Sequence, residues 1–234
     1  MKKDIKEGMG HSIPIALGYF PVSFTFGLIA VSSGLNPMLA FAISLTNFTS
    51  AGQFAGMNIM IAGGTYIEMA VTMLVINLRY MLMSFSLSQK MKGFGIIDRL
   101  ITGFGVTDEI FAVSSIEKDE ISPSYMRGLI FLPYIGWSMG TLLGALISGV
   151  LPERLKDSMG IALYGMFLAI IIPVAKQSPK VLKVILIAVA MSCAFYYTPV
   201  LKEVPQGWMI IITTVAASAI GALLFPEVNS DDGD

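Results

Sequence analysis

Three charged side chains occur within apolar stretches of the sequence, where they could bind an ion or a charged solute. Arg79 lies about 13 residues into a long apolar run, 66–88, and Asp108 and Glu109 lie in a shorter one, 100–115. If the first run crosses a membrane, an unpaired guanidinium near its centre costs at least ~2.5 to 3.5 kcal/mol. Glu68 is on the same run but about 16 Å away along a helix axis. We therefore expect Arg79 to pair with Asp108 or Glu109, or to meet an anionic substrate group.

A polar segment, TNFTSAGQ at 46–53, interrupts another apolar stretch, 38–62. A helix broken here would offer free backbone N–H and C=O groups at mid-depth, as in many secondary transporters. The alternative is that these side chains only hydrogen-bond between membrane helices, which is also common. Together with the three charged residues, the candidates for substrate binding or coupling are Thr46, Asn47, Thr49, Ser50, Gln53 and Asn77.

Enzymatic chemistry is disfavoured by the residue types available. Adjacent residues on a helix point about 100° apart, so Asp108 and Glu109 would not converge on one reacting atom. A single cysteine, Cys193, and a single histidine, His11, cannot form a disulfide framework or a multi-ligand zinc or haem site. No GxxxxGK[ST] phosphate loop is present. We therefore predict a non-enzymatic protein with no metal and no cofactor.

The composition indicates the setting of these residues. The chain has 234 residues, of which 55% are hydrophobic and 13% charged, whereas soluble domains average about 25% charged residues. So few charged residues cannot cover the surface of a water-soluble globule of this size, so the composition predicts a polytopic membrane protein in the lipid bilayer. The net charge of -1 excludes a chain-wide basic field for nucleic acid.

Uncharged or nearly uncharged runs of about 20 residues, the length that crosses the hydrocarbon as a helix, predict an all-α fold. Six full transmembrane helices are expected, at 13–33, 66–88, 128–151, 158–175, 184–201 and 206–225. The stretches 38–62 and 100–115 are expected to be re-entrant or broken, because irregular backbone survives at membrane depth only inside protein or beside water. Residues 1–225 then form one membrane domain, followed by a short acidic tail, 226–234.

The distribution of basic residues favours one orientation. If 38–62 re-enters without crossing, eleven of the 15 basic residues are cytoplasmic and three are outside, with Arg79 in the membrane. If 38–62 crosses fully, only six are inside and eight are outside. The positive-inside rule favours the first topology, in which both termini are cytoplasmic. We expect the chain to lie in the cytoplasmic membrane.

Two further patterns concern how the helices pack. The motif Thr-x-Phe, with Gln or Glu five residues after the Phe, begins at Thr46 and again at Thr102, which suggests an inverted repeat of the two broken segments. Asn77 and Ser84 form a second polar stripe on the helix of Arg79, so that helix is expected to pack on all sides. A ladder of small residues predicts a close helix–helix contact; its members are Gly136, Gly140, Gly144 and Ser148.

Five segments together resemble one known family. They are GYFPVSFTFGLIAVSSGLNP (18–37), TSAGQFAGM (49–57), INLRYMLMSFSLS (76–88), TDEIFAV (107–113) and WSMGTLLGALISG (137–149). This order of motifs is similar to that of the AzlC family, the large subunits of branched-chain amino acid exporters, and it covers nearly the whole chain. One departure is Tyr80, which follows NLR where relatives commonly have His.

The resemblance implies a secondary exporter of leucine, isoleucine and valine, with methionine as a further candidate substrate. It also implies a small AzlD-type membrane subunit as partner and an ion gradient as the energy source. Two other interpretations stay open from the residues: a non-catalytic membrane scaffold subunit, and a transporter of another small solute.

Overall fold

A computed structural model describes residues 2–116, 120–152, 165, 168, 171–172, 175–176, 178–199 and 201–225. Within these residues all regular secondary structure is helical, and no strand is found. The prediction of an all-α membrane fold is confirmed.

The described residues form nine α-helices and one short 3-10 helix. The α-helices are α1 (Lys2–Ser32), α2 (Pro37–Thr46), α3 (Ser50–Ile61), α4 (Tyr66–Ser88), α5 (Ile96–Gly105), α6 (Asp108–Ile116), α7 (Pro123–Ile147), α8 (Pro179–Tyr197) and α9 (Gln206–Leu224), and the 3-10 helix is Leu201–Glu203.

Five of these helices are long and apolar enough to cross a membrane: α1, α4, α7, α8 and α9. They match five of the six predicted spans, and the sixth, 158–175, lies almost entirely outside the described residues. α1 begins at Lys2, well before the predicted start at residue 13, because the charged N-terminal segment continues the helix. At 1.5 Å per residue α1 is about 46 Å long, more than the ~30 Å of hydrocarbon.

Both stretches predicted to be broken are broken. The first is divided into α2 and α3 by residues 47–49, and the second into α5 and α6 by Val106 and Thr107. Each half-helix has 9 to 12 residues, about 14 to 18 Å, and none alone crosses the hydrocarbon. Whether each segment re-enters or crosses stays a prediction.

Polar residues followed by proline start three of the helices. Asn36 accepts a hydrogen bond from the Met38 N–H at 2.8 Å, Ser122 from Tyr125 and Ser178 from Val181. Pro at the next position suits a first helical turn, because its missing N–H would have no partner there.

The chain divides into two compact units. The first contains residues 1–57 and 76–164, hence α1, α2, most of α3, the second part of α4, and α5 to α7. The second contains residues 58–75 and 165–234, hence the end of α3, the first part of α4, α8 and α9. The helices α3 and α4 therefore each contribute to both units.

Helices α1 and α7 form the core of the first unit, and their backbones approach closely. A Cβ added to Gly144 of α7 would overlap the backbone of Phe24, and one added to Gly27 of α1 would overlap Thr141. A Cβ on Gly140 would overlap the Ser23 side chain and the Phe20 carbonyl, whereas Gly136 lies less tightly against Ala16, 3.1 Å from its carbonyl oxygen. At the end of the row, Ser148 Oγ lies 3.0 Å from Ser32 Oγ and donates to the Leu28 carbonyl.

The helix α4 does not pack on all sides, so that prediction is wrong. One face exposes Leu74, Met81, Leu82 and Phe85, each more than 60% accessible. The polar stripe at Asn77 and Ser84 is half-buried. The exposed side chains are apolar, and such a face suits lipid or another protein rather than water.

Basic side chains near the ends of α4 to α7 are paired. Lys90 Nζ donates to the Ser115 carbonyl at 2.7 Å, and Arg127 Nε donates to Asp98 at 2.7 Å. Lys92 pairs with Glu120, and its hydrogen bond to that carboxylate raises the pKa of the Lys92 ammonium. These partly exposed pairs mark the polar end of this helix group.

Candidate functional site

A cavity of about 230 Å³ lies where the two breaks come together in the first unit. Each break and the end of the helix before it supply part of the lining, and α4 supplies the rest. The lining residues are Thr46, Asn47, Phe48, Thr49, Asn77, Tyr80, Gly103, Phe104 and Val106. Four of the residues predicted from sequence, Thr46, Asn47, Thr49 and Asn77, therefore share one cavity.

Threonines at both breaks cap the helices that follow. Thr49 Oγ1 accepts a hydrogen bond from the Gly52 N–H, and Thr107 Oγ1 accepts one from the Ile110 N–H. Both α3 and α6 thus begin with a threonine cap, which places the positive end of each helix at its break. The two caps are 58 positions apart.

The faint repeat seen in the sequence has the wrong register. It pairs residues 56 positions apart, Thr46 with Thr102 and Gln53 with Glu109. The equivalent caps are 58 apart, so Gln53 and Glu109 do not occupy equivalent places. The two segments share the helix–break–helix arrangement, which depends on caps rather than on the residues matched in sequence.

Gln53 is held by three hydrogen bonds within the protein and is 1% exposed. Its Nε2 donates to Ser44 Oγ and to the Asn47 carbonyl, each at 2.9 Å. Its Oε1 accepts from Trp137 Nε1 at 3.1 Å. Gln53 therefore ties α2, the first break, α3 and α7 together, which is the hydrogen-bonding role between helices that the sequence left as an alternative.

The remaining polar candidates near the first break differ in their availability. Thr46 Oγ1 donates back to the Ala42 carbonyl at 2.8 Å, so it is partly engaged by its own helix. The Ser50 Oγ and Asn77 Oδ1 atoms are buried and have no hydrogen-bond partner among the described residues. Asn77 lines the cavity whereas Ser50 does not, so Asn77 offers an unused acceptor to an occupant.

Arg79 forms its ion pair with Asp108: the Nη1 to Oδ2 distance is 2.9 Å. The guanidinium also lies over the ring of Tyr80, 4.9 Å from its centroid, and donates to the Tyr80 hydroxyl at 3.1 Å. Tyr80 lines the cavity, so the ion pair is connected to the cavity through this side chain. Arg79 and Asp108 are 44% and 34% exposed in the protein alone.

Glu109 faces a different partner, the hydroxyl of Tyr19 on α1. That hydroxyl also lies 2.7 Å from Thr107 Oγ1. Tyr19 carries one hydroxyl proton, so when it donates to an ionised Glu109 it accepts from Thr107. Because Asp108 and Glu109 have separate partners, they do not form a convergent pair of carboxylates.

Aromatic side chains surround the buried Phe48 in the first break. Its ring stacks on Phe104 with centroids 6.5 Å apart, and it makes edge contacts with Tyr19, Tyr134 and Trp137. Tyr134 also donates to the Leu45 carbonyl at 2.8 Å. The cavity therefore has a polar side with helix N-termini and an aromatic side.

Several of these residues were not found from the sequence. Tyr19 lies in one of the family motifs, but its 90-residue separation from Glu109 gives no sequence signal of their contact. The cap at Thr107 had a recognisable signal, a threonine before two acidic residues, which is typical of a helix start. Tyr80 differs from the His common in relatives, but the sequence does not indicate its contact with Arg79 or its place in the cavity lining. Within the described residues no group of three metal-ligating side chains occurs.

Comparison with known proteins gives one family and several relatives. The family model described as "AzlC protein" matches residues 14–151, more than half of the chain. An uncharacterized membrane protein of Archaeoglobus fulgidus is 31% identical over 172 residues, 72% of this chain and 74% of that protein. The inner membrane protein YgaZ of Escherichia coli K12 is 30% identical over 179 residues, 71% of each chain.

A third relative, an uncharacterized membrane protein of Helicobacter pylori, is 27% identical over 149 residues, 62% of this chain and 64% of that one. No solved structure matches the chain. The family match ends at residue 151, just after α7, so the matched segment contains both breaks and every lining residue of the cavity.

Proposed function

The chain belongs to the AzlC family of membrane proteins, and on that premise we propose that it is a secondary exporter of branched-chain amino acids. Leucine, isoleucine and valine are the proposed substrates, and methionine is a further candidate. The observation that carries this proposal is the cavity between two broken helices, because broken helices at membrane depth form the substrate sites of many secondary transporters.

The size of the cavity supports a small solute. Its volume, about 230 Å³, is below the roughly 300 to 1,000 Å³ typical of sites for drug-sized ligands. An amino acid is of the right order. The aromatic side formed by Phe48 and Phe104 would contact the alkyl side chain, and apolar contact discriminates weakly between aliphatic groups, by ~1 to 3 kcal/mol per methylene. We therefore expect overlapping affinities for the substrates.

The polar side would hold the zwitterion. The first turn of α3, behind the cap at Thr49, presents backbone N–H groups and the positive end of the helix, which favour a carboxylate. Asn77 Oδ1 and the break itself present acceptors for an ammonium group. Gln53 is not a substrate ligand in this proposal, because its three hydrogen bonds are already made.

We propose that the ion pair between Arg79 and Asp108 responds to binding of substrate in the cavity. Tyr80 connects the cavity to Arg79, and Arg79 connects to Asp108 at the start of α6. A substrate that moves Tyr80 would therefore disturb a contact between α4 and the second break. Glu109, held by Tyr19, supports the same helix start from the side of α1.

A small AzlD-type subunit is the proposed partner, in the cytoplasmic membrane with both termini of this chain in the cytoplasm. Exposed apolar side chains on α4 and α8 support a partner protein that packs against these helices. None of the described side chains of α8 is buried, and α4 exposes a row of large apolar residues. Lipid would cover part of this surface and the small subunit another part.

Efflux measurements test the proposal. Bacteria lacking their own exporters would be loaded with dipeptides, and release of leucine, isoleucine, valine and methionine measured with this chain alone and with the small subunit. Faster release with both chains supports the exporter and its partner. Release that persists with only the small subunit would favour a scaffold role, and no release despite both chains in the membrane would favour another solute.

The orientation is tested by labelling. A variant with Cys193→Ser and Lys92→Cys would be treated with a membrane-impermeant maleimide on intact cells and on inverted vesicles. Labelling only in inverted vesicles supports a cytoplasmic Lys92, whereas labelling of intact cells contradicts the proposed topology.

A further inference from the structure

A second and larger void lies beside the cavity in the first unit. It is a groove of about 540 Å³, more than twice the volume of the cavity, and α5 and α7 supply its lining. Apart from Arg127 and the Tyr134 hydroxyl, the described side chains of this lining are hydrocarbon. Among the described lining residues, Phe104 alone borders both voids. Its ring therefore marks the boundary between the cavity and the groove.

The position of Phe104 is fixed at the end of α5. The next residue, Gly105, lies directly against α7, where an added Cβ would overlap the Ile130 side chain. The Phe104 ring centroid is 6.5 Å from that of Phe48, which lines the cavity, and 5.7 Å from that of Tyr134, which lines the groove. The ring thus contacts one aromatic residue of each void.

Both aromatic neighbours of Phe104 are held in place by other contacts. Tyr134 donates to the Leu45 carbonyl at 2.8 Å, and its ring makes an edge contact with Phe48. Phe48 is 6% exposed and also packs against Tyr19. Structures around a truncated side chain relax only partly. Removal of the Phe104 ring would therefore leave an opening from the cavity into the groove.

The polar groups of the cavity determine which end of a bound amino acid reaches Phe104. The proposed contacts of the zwitterion are the first turn of α3, behind the cap at Thr49, and Asn77 Oδ1. The side chain of the amino acid then points to the aromatic side, which ends at the Phe104 ring. A branched aliphatic group fits in front of this ring, whereas a longer aryl group needs the space that the ring occupies. Such a clash discriminates by repulsion and not by a missing contact.

We infer that Phe104 sets the upper size of the substrate side chain. Its ring closes the apolar side of the cavity, so aliphatic amino acids bind and aromatic ones are excluded. In the wild type the groove is not part of the substrate site, and it becomes an extension of that site once the ring is removed. The inference rests on the proposed exporter function and narrows its substrate class.

Competition during leucine exchange tests the size limit. Proteoliposomes that contain this chain and its small subunit would exchange labelled for unlabelled leucine in the presence of excess valine or phenylalanine. In the wild type, valine should compete and phenylalanine should not. In Phe104→Ala, competition by phenylalanine should rise at least about tenfold relative to competition by valine.

Two further variants make the result specific. Phe131→Ala removes a 53% exposed ring that lines the groove and not the cavity, so this matched control should keep the wild-type preference. Phe104→Leu retains an apolar side chain at a 44% exposed position, so we expect it to fold, with a smaller gain for phenylalanine. A purely structural role of Phe104 would slow all exchange without changing the ratio of the two competitors.

Failure of the inference and failure of the proposed function give different results. Wild type in which phenylalanine competes as well as valine overturns the inference alone. So do Phe104→Ala and Phe104→Leu that exchange leucine but still exclude phenylalanine, and so does an equal gain for phenylalanine in Phe131→Ala. Wild type that exchanges no amino acid contradicts the proposed function and the size limit with it.

Discussion

The Arg79 guanidinium lies 2.9 Å from the Asp108 carboxylate, and this pair joins the middle of α4 to the first turn of α6. Either group left alone in the membrane carries an uncompensated charge, which costs at least ~2.5 to 3.5 kcal/mol for the guanidinium. The pair therefore fixes the second break against α4 and has a polar link to the cavity through Tyr80.

We predict that Arg79→Ala and Asp108→Asn each reduce leucine exchange at least about tenfold, the factor that corresponds to ~1.4 kcal/mol. Membrane abundance should stay near that of the wild type. The swapped double variant, Arg79→Asp with Asp108→Arg, separates two roles. Recovery of exchange by the swap indicates a pair that only holds α6, whereas continued loss indicates that Arg79 must face the cavity.

We predict that Gln53 contributes to the stability of the fold and not to substrate binding. Gln53→Leu leaves the buried Trp137 N–H without its acceptor and removes one donor from Ser44 Oγ, which keeps its hydrogen bond with Thr141 Oγ1. A buried unsatisfied group costs ~1 to 3 kcal/mol. We expect a lower unfolding temperature of the purified protein. Gln89→Leu, at an exposed position after α4, is the control. A variant of unchanged stability with weakened leucine binding would instead make Gln53 a ligand.

Tyr19 is predicted to act through its hydroxyl. Tyr19→Phe keeps the ring, which packs against Phe48 and Trp137 with centroids 5.7 and 5.5 Å away, but it removes the donor to Glu109. Exchange should slow severalfold while the unfolding temperature changes little. Tyr134→Phe, which loses only a hydrogen bond to a backbone carbonyl, should slow exchange less; equal slowing by both would argue against a specific role for Glu109.

The contact between α1 and α7 requires glycine. Gly144→Ala places a methyl group into the Phe24 backbone, and overpacking of this kind typically costs ~1 to 3 kcal/mol. A lower unfolding temperature and reduced membrane abundance are expected. Gly18→Ala on α1, where a Cβ would meet nothing within 4 Å, should be neutral or slightly stabilising. Similar stability of the two variants would contradict this packing.

The sequence allowed the helices and breaks to be predicted because their signals are local. Long apolar runs indicate the spans, and a polar run between apolar ones indicates the first break. The sequence also limits the expected protein partners of Arg79 to two adjacent carboxylates, Asp108 and Glu109. The choice of Asp108 depends on the direction in which the first turn of α6 faces, which no local pattern specifies.

The parts that the sequence left undecided depend on contacts between distant positions. The sequence allows Gln53 to be a substrate ligand or an interhelical contact, and only the folded chain brings Ser44 and Trp137 around it. Tyr19 meets Glu109 across 90 positions. The repeat predicted from sequence matches residue types, whereas the two segments share threonine caps in another register. Gln53 and Glu109, which the residue match pairs, have different hydrogen-bond partners and do not occupy equivalent positions.

The shortness of the four half-helices has a consequence for how the chain is made. A segment of 9 to 12 residues is too short to leave the translocon as a stable span, and its break exposes backbone that lipid cannot hydrogen-bond. The first pair is therefore expected to be fully packed only after α7, which begins some 75 residues beyond the first break, has been synthesised and packs on α1. A chain that ends before residue 123 lacks α7, and so lacks the hydrogen bonds that Tyr134 and Trp137 make to Leu45 and Gln53 beside the first break.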